Sequence, residues 1–154
     1  MKISSLKSVI AASIIALATN VGISAPARAQ PTSFFCGTSG ATPATIASEN
    51  GNNVPVIIWG ANNYFAESGE DALTRCTRVS GILNNSSIQG TLERVITTGS
   101  SRNGEPIICA ANPQDGSCRL LYRVPGGQNP ERARQELLQR ITNPNLRNPA
   151  IAVN

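Results

Sequence analysis

The sequence predicts an α+β domain: an antiparallel, meandering sheet of about six strands with two helices on one face. Three observations carry this. Short β-branched and apolar runs, of which "VPVIIW" (54–59) is the clearest, are bounded by turn formers such as Asn-Gly. Two longer stretches, after Asp71 and after Pro130, instead place apolar residues at three- and four-residue spacing. The strands also come in groups joined by short turns, which makes neighbours antiparallel.

Phe34 to Gly37 reads as the first strand and Thr42 to Ser48 as the second. "ENGNN" (49–53) is turn chemistry, and Val54 to Trp59 follows as the third strand. Pro55 cannot donate a ladder hydrogen bond, so it is expected near that strand's start or on an edge. Ser68-Gly-Glu-Asp71 reads as a helix start with acids in its first turn. Leu73, Cys76, Val79 and Leu83 then form one buried stripe, and Asn84-Asn85-Ser86-Ser87 is expected to end it. Leu92 to Thr98 reads as a strand, Asn103-Gly104 as a hairpin turn, and Pro106–Ala111 and Arg119–Val124 as the last two strands. Asn129-Pro130-Glu131 opens the second helix, with Ala133, Leu137, Leu138 and Ile141 inward and a Glu136–Arg140 pair outside.

Residues 1–29 are expected to be a cleaved secretory signal. Lys2 and Lys7 precede an apolar run from Val9 to Ala18, and Ala27-Arg28-Ala29 supplies the small residues of a cleavage site. A bilayer span needs about 20 apolar residues, and Thr19, Asn20, Gly22 and Ser24 interrupt this run too early. The expected location is therefore exported: periplasm, envelope or outside the cell, with no integral span in the mature chain. One globular domain is expected over 30–141, followed by a loose tail over 142–154.

Export changes the charge argument. The formal net charge is +4, but Lys2, Lys7 and Arg28 leave with the signal, so ten arginines face nine acids at a net +1. No nucleic-acid partner follows from that balance. The chain has no histidine, which excludes imidazole catalysis and His-ligated zinc. Without lysine in the mature chain, Schiff-base chemistry is excluded too.

Cys36, Cys76, Cys109 and Cys118 are even in number and widely spaced, which favours disulfides in an exported chain. A zinc site would show a close Cys-x-x-Cys pair. Cys109 and Cys118 flank a loop holding Asn112-Pro113 and Asp115-Gly116, between two strands that pair as neighbours. Their pairing leaves Cys36 for Cys76, a strand-to-helix link. The chain-entropy argument gives about 3 kcal/mol for the short loop and about 4 for the long one.

No residue set reads as catalytic, and no cofactor or metal is expected. Glu70 and Asp71 are adjacent on a helix and diverge by about 100°, so they do not converge on one substrate atom. Asp115-Gly116 is not followed by the alternating acids of a calcium loop. The candidate binding surface is Trp59, Tyr64 and Phe65, three aromatics around Asn62-Asn63, together with Arg119 and Arg123 on one strand face. Core packing for Trp59 and Phe65, and a solvated strand face for the arginines, are the competing readings.

"FFCGT", "PAT" (43–45), "NVPVIIW", "RC" (75–76), "VS" (79–80), "GTL" (90–92), "ITTG" (96–99), "NGEPIIC" and "GQNP" (127–130) occur in that order. As an ordered set, from about Phe34 to Ile141, they resemble the circadian oscillating polypeptide family of cyanobacteria. The four cysteines fall where that family has them. "ESGEDALT" departs from the Thr-Pro helix start the family would bring. The resemblance implies rhythmic abundance and peripheral membrane association, and brings no catalytic residue and no ligand.

Two functions remain to be weighed. One is a non-enzymatic envelope module that binds a protein, a polysaccharide or a membrane surface. The other is a small exported carboxylate-dependent hydrolase or an inhibitor-like protein, which would need two of Glu67, Asp71, Glu93, Glu105 and Asp115 gathered in a pocket.

Overall fold

A computed structural model describes residues 30–60, 69–145 and 148–154. The expected signal segment, Tyr64, Phe65, Glu67 and Ser68 lie outside the described residues. Strands β1 (Ser33–Ser39), β2 (Thr42–Glu49) and β3 (Asn52–Trp59) run antiparallel, as expected. The β2–β3 turn is Asn50-Gly51, both at positive φ (51° and 81°), the two-residue hairpin that an Asn-Gly pair favours. The strands then divide into two sheets rather than one meander. β4 (Ile96–Ser100), β5 (Pro106–Ala111) and β6 (Cys118–Arg123) form their own antiparallel sheet.

The second edge of the first sheet is filled from the far end of the chain. β7 (Ile151–Val153) pairs in parallel with β3, Trp59 opposite Val153. This corrects the expectation of a loose tail over 142–154: Val153 is buried, and Gly60 N–H donates to its carbonyl at 2.7 Å. A Cβ on Gly60 would lie 2.5 Å from Asn154 Oδ1 and 3.2 Å from the Val153 carbonyl, so glycine eases this close approach. With β7 seated on β3, β4 has no edge there to join.

The described residues form three helices, not two. α1 (Ala72–Ile88) starts at Asp71, whose carboxylate accepts from Thr74 N–H at 2.7 Å. Its buried stripe holds Arg75, Cys76, Val79, Ser80, Ile82 and Leu83, whereas Leu73 is 60% exposed and stands outside it. The helix also passes through the Asn84–Ser87 run. Asn84 Oδ1 accepts from Phe34 N–H at 3.0 Å and Ser87 Oγ donates to Thr32 O, so these polar groups bond β1 instead of breaking the helix.

Leu92 to Thr98 is not one strand. Leu92–Val95 forms the short helix α2 before β4 begins. Its buried residues, Leu92 and Val95, and Ile96 at the start of β4 already stand at three- and four-residue spacing. α3 (Pro130–Thr142) is capped by Asn129 and buries Ala133, Leu137 and Ile141. One core joins both sheets, with Val56, Ile57 and Trp59 meeting Val79, Leu83, Ile108, Leu121 and Leu137.

Candidate functional site

The four cysteines are all bridged, Cys36 to Cys76 and Cys109 to Cys118. The first bridge ties β1 to the buried face of α1. The second closes the β5–β6 hairpin and crosses β4 at Gly99, where an added Cβ would stand 3.1 Å from Cys109 Sγ.

Of the expected binding surface, Tyr64 and Phe65 lie outside the described residues, and the structure places Trp59, Arg119 and Arg123 apart from one another. Trp59 is fully buried and donates from Nε1 to Thr45 Oγ1 at 3.0 Å, so it is a core residue. Arg119 and Arg123 do not share a face either. A bulge between Ile108 and Cys109 leaves Leu121 unmatched, so Arg119 pairs with Ala110 and Arg123 with Ile107. Ala110 and Ile107 are three residues apart on one strand and face opposite sides. Arg123 is mostly covered and pairs with Glu105 at 2.7 Å. Arg119 is exposed beside a shallow groove of about 510 Å³ with Thr77, Arg78, Gly81 and Asn85. Arg78 is already engaged by Glu70 at 2.8 Å and by Leu120 O.

Three of the carboxylates of the hydrolase reading hold the fold, and Glu67 lies outside the described residues. Asp71 caps α1, Asp115 accepts from Ser117 N–H at 2.8 Å, and Glu105 holds Arg123. Hydrogen bonding to Arg78 lowers the Glu70 pKa, Thr74 lowers that of Asp71, Ser117 that of Asp115 and Arg134 that of Glu131. Arg75, 2% exposed on α1, is pulled below its ordinary value by burial, an effect that Glu70 opposes.

A cleft of about 460 Å³ lies elsewhere, between β6 and β7 over α3. Tyr122, Arg123, Gln128, Glu136, Arg140 and the backbone of Ile151–Asn154 border it. Tyr122 is buried with its hydroxyl donating to Ala133 O at 3.4 Å. Burial first, and the Glu136 charge second, hold its pKa well above the ordinary 10.0. Glu136 does not pair with Arg140 as expected. It takes Arg132 at 3.4 Å and Gln128 Nε2 at 3.3 Å. Among the described residues no carboxylate pairs with Arg140, and its Nη1 is buried without a hydrogen-bond partner. A permanent cation beside amide and backbone groups can hold an anionic ligand; it cannot activate a nucleophile. Sequence reasoning missed this site, because it assigned Arg140 to Glu136 and left the tail without structure.

Among the described residues no three His, Cys, Asp or Glu side chains are grouped to hold a metal, and no helix is long and apolar enough to cross a membrane. Fold and crosslinks together define a small, two-disulfide α+β domain. The family model of the circadian oscillating protein COP23 matches residues 33–152, and the chain belongs to that family. Comparisons with curated proteins and with solved structures give no match.

Proposed function

We propose that the chain is an exported, non-enzymatic binding domain acting in the cell envelope or peripherally at a membrane, with the β6–β7 cleft as its binding site. The observation that carries this reading is Arg140, a cation in a cleft of about 460 Å³ with no carboxylate partner among the described residues. Its Nη1 is buried without a hydrogen-bond partner, and an arriving anion would supply one. Two bridges using all four cysteines fit an oxidising compartment. Hydrolysis would call for a carboxyl group held protonated near neutral pH, and the carboxylates with a resolved shift move the other way.

The test is titration of the oxidised, isotope-labelled protein with glutarate, phosphate and acetate, read by amide chemical shifts. Shifts centred on Gln128, Arg140 and Val153, and lost in Arg140→Met, are expected. Shifts centred on Arg119, or none at millimolar ligand, refute the cleft. Peripheral association predicts that high salt releases the protein from membranes, since the attraction is screened.

A further inference from the structure

Both sheets end at this cleft. β6 is the outer strand of one and β7 of the other, and residues of both border the opening. An outer strand presents a row of N–H and C=O groups suited to a further strand. On β7 the direction of that row is fixed. Val153 O accepts from Gly60 N–H, so Val153 turns toward β3 and the alternation sends Ala152 N–H and C=O outward. Ala152 is exposed. On β6, Val124 N–H donates to Pro106 O at 2.9 Å, which makes Val124 and Pro106 a hydrogen-bonded pair. The next pair, Arg123 and Ile107, is then the non-bonded kind, and Arg123, the last residue of β6, borders the cleft.

We propose that the cleft takes an extended peptide segment, laid between β6 and β7, that carries a carboxylate to Arg140. This rests on the reading of the cleft as the binding site and names its ligand class. A peptide in extended conformation offers a row of donors and acceptors along its edge, matching the outward groups of Ala152 on β7. A glycan or a lipid headgroup has no such repeat. Arg140, without a carboxylate of its own, supplies the charge complement on the α3 wall. The cleft volume lies within the range of about 300–1,000 Å³ typical of ligand sites.

The experiment compares two pools of blocked hexapeptides, alternating Thr and Val with one Glu or one Gln at each position, against glutarate. The readout is amide shifts and amide exchange on the full oxidised domain. The Glu pool is expected to move Ala152, Tyr122 and Arg140, to slow exchange of Ala152 N–H, and to bind about tenfold tighter than the Gln pool, one charge-assisted contact's worth. Arg140→Met should make the two pools equal. Ala152→Pro removes the outward N–H and leaves the β3 ladder intact, so it should weaken both pools while thermal unfolding confirms the fold. Glutarate binding as tightly as the Glu pool overturns strand addition and leaves the cleft a small-anion site. Failure of every ligand to move cleft residues overturns both readings. Concentration-dependent shifts without peptide assign the edge to a second copy and overturn the peptide.

Discussion

Cys36–Cys76 joins a strand to a helix across a sequence separation of 40, whereas Cys109–Cys118 spans nine residues inside one hairpin. The two sheets need these braces for different reasons. The first sheet is covered by α1, and side chains of that helix take over polar groups of the outer strand: Asn84 holds Phe34 N–H and Ser87 holds Thr32 O. Nothing local in the chain brings β1 to α1, so a long-range bond fixes the docking. In the second sheet the hairpin loop is already closed by its own contacts, with Asn112 N–H donating to Ser117 O at 2.7 Å. The bridge there adds to a register the turn has set, and its cost falls on β4, which must carry Gly99 beneath the sulfurs. Long-range contacts need the longer tether.

The largest effect tests that contrast directly. Replacing Cys36 and Cys76 together by Ala is expected to cost about 4 kcal/mol, and Cys109 with Cys118 about 3, in urea unfolding. An inverted order would break the comparison. Gly99→Ala comes next, at about 1–3 kcal/mol, because a crosslinked sulfur at 3.1 Å cannot swing aside. The cost should shrink when Cys109 and Cys118 are also Ala; an unchanged cost would place the clash elsewhere. Asn84→Ala leaves Phe34 N–H without its partner and is expected to cost about 1–3 kcal/mol, with faster amide exchange at Phe34. Gly81→Ala should go the other way by about 1 kcal/mol, since a Cβ on that open face of α1 meets nothing within 4 Å.

The smallest effect is a pH dependence in the first half of the domain. Arg78 holds the Glu70 carboxylate below its ordinary 4.5. A depressed folded-state value means the contribution is whole above 4.5 and is lost as pH falls through the lower folded value. Glu70→Gln should therefore lower stability slightly at neutral pH, leave it nearly unchanged well below the folded value, and so flatten the acid limb of the stability curve. A parallel shift of the whole curve would instead mark a structural role for Glu70 beyond its charge.

What the sequence revealed and what it hid follow a physical line. Turn dipeptides are local, and Asn50-Gly51 and Asn103-Gly104 both mark turns with positive φ where they were expected. The cysteine pairing was legible for the same reason, since one hairpin decided it. Asn84 and Ser87 read as helix breakers because their stabilising partners at Phe34 and Thr32 lie outside the window that propensity samples. Arg119 and Arg123 kept perfect alternation in sequence, yet one unmatched residue at Leu121 put them on opposite faces. β7 has three residues and gains its stability from a partner far back in the chain, so no periodicity could announce it. With β7 unseen, the cleft had only one wall and Arg140 no role in it.

The order of the crosslinks along the chain has a kinetic consequence. First cysteine joins second and third joins fourth, so neither ring encloses a cysteine belonging to the other. In a chain threaded N-terminus first into an oxidising space, Cys36 meets Cys76 before Cys109 emerges, and the correct bond is the only intramolecular bond on offer. Cys109 then appears with no free thiol to capture it until Cys118 follows nine residues later. Oxidation in order of appearance reaches the native pairing without reshuffling, so a thiol oxidase suffices and a disulfide isomerase is dispensable.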